Sequence, residues 1–180
     1  DIQYEIRFHT DWHCGSGLSA GADVDALVIK NALNLPFVPG KTIKGLVREA
    51  VEEIRALKGI DDNELSAAFG TECTSSGEGL RGTMFFTDAS LNEAESNAIV
   101  AGKLTRFMYR SIASTAIGED GIATEHSLRK MQVTVPCVLT GRILNVPEAI
   151  ADEITTSLKF IKRLGQNRNR GLGRCTFTVK

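Results

Sequence analysis

Ile2, Tyr4, Ile6 and Phe8 alternate with Gln3, Glu5, Arg7 and His9 at the start of the chain. A period of two places one apolar face on a core and leaves the other wet, which predicts a half-buried strand. Gly15, Gly17 and Gly21 then predict a flexible loop, followed by the short apolar run Val24-Asp25-Ala26-Leu27-Val28-Ile29 and the breaks at Pro36 and Pro39-Gly40. Ile43, Leu46, Val47, Ala50, Val51, Ile54 and Leu57 recur at three- and four-residue steps, predicting a helix that Lys58-Gly59 closes. Gly45 inside that helix costs roughly 1 kcal/mol against Ala, which favours a close backbone approach there. A shorter helix is expected over 63–69, stopping at Gly70.

Gly82 to Asp88 is rich in aromatic and β-branched residues and predicts a second strand. Residues 103–125 hold basic, small and hydroxyl residues without a sustained period and predict a long hairpin or loop. Met131 to Leu144 alternates at Val133, Val135, Cys137 and Leu139, predicting a third strand. Pro147 suits a first helical position, with Glu148, Asp152 and Glu153 at the positive end of the dipole. Ile150, Ile154, Leu158 and Ile161 carry that helix to Gly165, and Leu172 to Val179 supplies the last strand. The succession is βαββαβ, which predicts an α+β sandwich of the ferredoxin-like or RRM-like kind, in one domain over 1–180.

Composition changes this picture little. The chain has 180 residues, 42% of them hydrophobic and 24% charged, as in an ordinary globular core. No apolar run approaches the roughly 18 residues of a membrane span, and the first ten residues lack a signal-peptide core, so no membrane partner and a cytoplasmic location are expected. Cys14, Cys73, Cys137 and Cys175 show no CxxC or CxxH spacing. No structural metal is expected from them, and buried reduced thiols are the better reading. The net charge of −1 argues against a free-standing nucleic-acid binder. Charge is segregated, however. The many acids from Glu52 to Glu95 meet only Arg55, Lys58 and Arg81, whereas Lys162, Arg163, Arg168, Arg170, Arg174 and Lys180 share a tail without acids.

Two motifs bear on chemistry. Leu35-Pro-Phe-Val-Pro-Gly-Lys-Thr-Ile-Lys-Gly-Leu-Val-Arg48 contains a Gly-Lys-Thr ahead of a helix, but a phosphate-binding nucleotide loop needs glycine where Leu35 stands. What remains is a helix N-terminus with Lys41, Lys44 and Arg48 at helical spacing, suited to a nucleic-acid phosphate or to a solvated basic face. Leu164-Gly-Gln-Asn-Arg-Asn-Arg-Gly-Leu-Gly-Arg174 combines glycines, which allow close backbone approach to a phosphate, with Arg168, Arg170 and Arg174, which add charge and planar stacking. Gly171 and Gly173 belong to the same candidate RNA contact.

Taken in order with Trp12-His-Cys-Gly-Ser-Gly17, Val24-Asp25-Ala-Leu-Val-Ile-Lys30, Phe69-Gly70 and Phe85-Phe-Thr-Asp-Ala89, these segments resemble the RAMP superfamily of CRISPR systems across nearly the whole chain. Within it the chain looks most like the backbone subunit of type III effector complexes of the Csm and Cmr kind. That resemblance implies a subunit that binds guide RNA beside other RAMP subunits in a filament. It also implies cleavage of complementary target RNA by a loop aspartate, here Asp25, with Mg2+ or another divalent metal. Residues 103–125 are assigned to a thumb hairpin that kinks the guide–target duplex. His13 falls where the backbone-subunit pattern has a histidine touching guide RNA.

Alternatives stay open on the residues alone. Asp25 also suits a turn aspartate accepting backbone N–H groups, which makes a non-catalytic RNA scaffold the competing reading. Asp23, two residues away, is a rival carboxylate. His13 as a general base would make the chain a guide-processing endoribonuclease.

Overall fold

The computed structural model describes residues 1–20, 24–58, 60, 65–71 and 79–180. Strand β1 (Ile2–Phe8) carries the alternation into the fold, with Ile2, Tyr4, Ile6 and Phe8 inside. It lies between β7 (Val138–Leu144) and β8 (Cys175–Val179), antiparallel to both, with Ile6 opposite Leu139 on one side and Phe177 on the other. The far edge of β7 pairs antiparallel with β3 (Phe85–Phe86) and β4 (Ala89–Ser90), and β4 pairs with β2 (Phe37–Val38).

Each antiparallel step reverses direction, so β1 and β3 run parallel with β7 between them, and β7 and β8 run parallel with β1 between them. Helix α1 (Gly40–Lys58) makes the first of these split crossovers and α4 (Ala151–Phe160) the second. The expected α+β fold is therefore present. The helices pack side by side, burying Ile43, Val47, Ala50 and Val51 of α1 and Ile154 and Leu158 of α4. Each such Val, Ile or Leu side chain stabilises the fold by about 1.5–3 kcal/mol when fully removed from water. Arg55 of α1, only 3% exposed, donates from Nε to Glu153 of α4 at 2.8 Å and locks the pair.

Three expectations are corrected. Met131 to Leu144 is two strands, β6 (Arg129–Thr134) and β7, divided at Pro136, which has no N–H for a ladder and turns the chain out of the hairpin. The hairpin expected in 103–125 is longer. A 3-10 turn at Thr105–Met108 leads into β5 (Tyr109–Ser114), and β5 pairs with β6 from Tyr109–Thr134 to Ser114–Arg129. Gly45 meets no close backbone, since a Cβ there would find open space. Gly40 is the glycine that does, because a Cβ would sit 2.1 Å from the Phe86 carbonyl oxygen.

Two further helices are short. Of the helix expected over 63–69, α2 (Leu65–Phe69) is seen, while 61–64 lie outside the described residues. Helix α3 (Glu93–Ala101) had no apolar period to announce it, yet Asn92 caps it by accepting the Glu95 N–H at 2.8 Å. Among the described residues, no helix is long and apolar enough to cross a membrane.

Candidate nucleic-acid interface

The hydrogen bonds of the hairpin decide where the loop after β1 lies. One edge of β6 pairs with β5. The N–H and C=O groups of Lys130, Gln132 and Thr134 face the other way, and an open edge of this kind must find partners. The loop supplies all six. Lys130 donates to Asp25 Oδ2 at 2.7 Å, and its carbonyl accepts the Asp25 N–H at 2.9 Å. Gln132 donates to the Ala26 carbonyl at 2.9 Å, and its own carbonyl accepts from His13 Nδ1 at 2.6 Å. Thr134 and Trp12 exchange both backbone bonds, at 2.8 and 3.0 Å. The Asp25 carboxylate and the His13 ring thus stand in for two backbone partners.

The same loop holds the glycine- and arginine-rich segment. Gln166 donates its N–H to the His13 carbonyl at 2.9 Å, and Gly173 donates to the Asp11 carbonyl at 2.7 Å. Gly165 (φ +96°) lies so close that a Cβ would meet the His13 carbonyl oxygen at 2.4 Å. Residues 11–13 therefore splice the hairpin on one side to the arginine-rich loop on the other.

Two open clefts follow from this arrangement. The first, about 330 Å³, is bordered by Gly15, Gly17, Leu18, Asp25, Ala26 and Gln166. The second, about 370 Å³, is bordered by Gly15, Ser16, Lys41, Thr42, Gln166 and Arg168. They share His13, Gly15 and Gln166, so they read as one track from Asp25 to the start of α1. Asp25 is the one carboxylate among the described residues lining either cleft.

The sequence-predicted residues divide on this geometry. Asp25, Lys41 and Arg168 lie along the track. Arg170 and Gly171 are exposed on the adjoining 3-10 turn, Arg168–Arg170, and its C-terminal side. Gly171 (φ +87°) has open space around it, as a surface for an incoming backbone needs. Arg174 is exposed just before β8 and borders a different hollow with His9, Lys162 and Thr176.

Lys44 and Arg48 line neither cleft. Lys44 borders a hollow with Phe69, Thr71 and Arg81. Arg48 is engaged, donating to Glu52 Oε1 at 2.7 Å and to the Gly70 carbonyl at 3.2 Å. The start of α1 is also not wholly free, because Asp88 accepts the Gly40 N–H at 2.7 Å. Gly173 is buried and packed on Leu164, so its missing side chain serves the fold rather than a phosphate. His13 is 1% exposed, with Nδ1 committed to Gln132 and Nε2 buried without a partner. A ring so placed supports the loop from beneath and forms part of the wall of both clefts. Asp23 and Cys73 lie outside the described residues.

Some contributors escaped sequence reading. Gln166 joins both clefts. Arg110 of β5 pairs with the buried carboxylate of Asp11, and Lys30 lies over the Tyr109 ring at 4.2 Å, where burial holds its ammonium below the ordinary pKa. Tyr109 also donates its hydroxyl to the Asn34 carbonyl at 2.8 Å. None of these pairs has a short-range spacing signal, since the partners are joined only by the fold. Among the described residues, no three His, Cys, Asp or Glu side chains converge as metal ligands.

No curated protein matches this sequence. Among solved structures, the chain is similar to one in a cryo-EM structure of the type III-B Cmr-beta bound to cognate target RNA. The TM-score is 0.73 and the identity 10%, covering 99% of this chain and 96% of that one. It is also similar to a chain of the apo state of type III-B Cmr-beta, with TM-score 0.71 and 10% identity over the same shares. At that identity the likeness is one of fold. The sequence model of the RAMP superfamily matches residues 5–176, from within β1 to within β8, and the chain belongs to that superfamily.

Proposed function

We propose that the chain is a guide-RNA-binding subunit of a type III CRISPR ribonucleoprotein that cuts guide-paired target RNA through Asp25. The observation that carries this reading is the position of Asp25. It is an exposed carboxylate at one end of a track whose other end is bordered by Lys41 and Arg168. Cations along the track suit phosphates of a bound strand, and the β5–β6 hairpin rises beside it as a thumb would.

Cleavage by internal attack requires the ribose 2′-hydroxyl in line with the leaving oxygen and a group that takes up a proton. The backbone N–H of Lys130 fixes Oδ2 of Asp25, which leaves Oδ1 as the oxygen to face RNA. Mg2+ is commonly held by one or two carboxylates together with waters and substrate phosphates. A lone exposed aspartate fits that mode, and the metal would supply charge stabilisation at the phosphate. Guide RNA, complementary target RNA and neighbouring RAMP subunits are the partners on this reading.

A second reading has its own observation. The Asp25–Lys130 bond is a structural duty, and a scaffold subunit would need nothing more from that side chain. Cleavage of labelled target by the assembled complex in Mg2+ separates the two. Asp25→Asn keeps an acceptor for Lys130 and removes the charge. Loss of regularly spaced cuts with target binding intact supports cleavage through Asp25; equal cutting by both proteins refutes it.

A further inference from the structure

Asp25 owes its placement to the hairpin, since both of its hydrogen bonds go to Lys130 of β6. The hairpin in turn is tied to the loop by a charged contact far from Asp25 in sequence. Arg110 of β5 donates from Nε to Oδ2 of Asp11 and forms an ion pair with it through Nη2; the Asp11 side chain is 5% exposed and that of Arg110 62% exposed. Asp11 also holds Gly173 through its carbonyl, and the next two residues hold Thr134, Gln132 and Gln166. Asp11 therefore stands where the hairpin, the loop after β1 and the arginine-rich segment meet.

We infer that Arg110 and Asp11 are positioning residues, whose ion pair seats the β5–β6 hairpin so that the Lys130 N–H can orient the Asp25 carboxylate toward target RNA. The inference rests on the reading of Asp25 as the cutting carboxylate. A buried carboxylate is costly unless it is paired, so the pair has a strong preference for the seated arrangement. Tilting the hairpin breaks the pair, the β6 edge bonds and the Asp25 contact together. A carboxylate held only by its own glycine-rich loop would sample many orientations, and misplacement of about 1 Å costs roughly a hundredfold in rate.

Two measurements on Arg110→Ala, Arg110→Lys and Asp11→Asn test this. The first is hydrogen exchange at the Lys130 and Gln132 amides of the full chain, with the β7 amides as a control for folding. Arg110→Ala and Asp11→Asn are expected to speed exchange at Lys130 by about tenfold or more while β7 stays protected, with Arg110→Lys restoring most of the protection. Unchanged protection at Lys130 overturns the inference. The second is single-turnover target cleavage by the assembled complex, where the rate is expected to fall with target affinity unchanged. A fall for Arg110→Ala without one for Asp11→Asn makes Arg110 an RNA contact and overturns the positioning role, because Asp11 is too buried to reach RNA. A wild-type complex that never cuts removes the reading of Asp25 and the positioning role with it; exchange then still decides whether the ion pair seats the hairpin.

Discussion

A Cβ on Gly173 would stand 1.9 Å from the carbonyl oxygen of Leu164, and the backbone there has φ +69°. Leu164 in turn donates its N–H to the Gly173 carbonyl at 2.9 Å, closing the arginine-rich loop at its neck. Gly171, two residues earlier, has a similar positive φ with nothing nearby. Gly173→Ala is therefore expected to destabilise the protein by about 3 kcal/mol or more, combining left-handed strain with a backbone clash. Gly171→Ala should cost about 1 kcal/mol. Thermal unfolding of the two variants checks this, at roughly 2–4 °C per kcal/mol for a chain of this size. Equal losses would mean the neck is not rigid.

Arg55 and Glu153 tie α1 to α4 at 2.8 Å, with side chains 3% and 26% exposed. Glu153→Ala takes the α4 carboxylate away from the buried Arg55 guanidinium and is expected to cost about 1.5–3 kcal/mol in denaturant unfolding. Arg48→Ala, whose ion pair with Glu52 is more than a third exposed on average, should cost less than about 1 kcal/mol from that pair.

Guide RNA binding should weaken steeply with salt. Each phosphate contact on a single strand contributes about 0.7 to the slope of log affinity against log salt. Lys41→Ala and Arg168→Ala are each expected to flatten the slope by roughly that amount. Arg48→Ala, already committed to Glu52 and Gly70, should leave it unchanged. Filter binding across a salt series gives the answer, and a slope insensitive to Lys41 and Arg168 would remove them from the interface.

Burial raises the thiol pKa of Cys14 from 9.0 to about 11 and of Cys137 and Cys175 from 9.0 to about 12; the Trp12 indole and the Lys162 ammonium oppose the shift at the latter two. The unfolded chain ionises these groups near pH 9, whereas the folded chain keeps them neutral. Their contribution to stability is complete below pH 9 and is lost as the pH rises toward 11 and 12. The slope is about 1.4 kcal/mol per pH unit for each thiol. Denaturant midpoints between pH 8 and 11 measure it, and Cys175→Ala should shallow the decline. At pH 8 the buried thiols of Cys14 and Cys175 should react with a thiol reagent only after unfolding.

The alternation of β1 and the three- and four-residue spacing of α1 were readable in the chain, because period is a local property. The second crossover helix was legible in its apolar spacing but not in its ends, since Pro147 caps a separate 3-10 turn, Glu148–Ile150, and the helix runs only from Ala151 to Phe160, short of Gly165. From them the βαββαβ succession followed, and the RAMP resemblance rested on short motifs in a given order. The division of Met131–Leu144 was missed because the apolar alternation runs on through Pro136. That proline is the local mark of the break, and pairing with β5 on one side and β1 on the other assigns the two strands to different sheets.

For the site, residue type along the sequence determined which groups could meet RNA: Asp25 near a glycine-rich turn, Lys41 ahead of a helix, arginines in a loop without acids. Tertiary structure decided which of them do so together. It left Lys44 and Arg48 outside both clefts, Arg48 being engaged by Glu52 and Gly70, buried His13 under Gly15, gave Gly173 to the Leu164 neck, and set the Asp25 carboxylate on the Lys130 N–H. Those outcomes depend on the open edge of β6 and the buried charge of Asp11 finding partners. Such demands come from segments about a hundred residues apart, as in Asp11 with Arg110 and Asp25 with Lys130, and no local pattern encodes them.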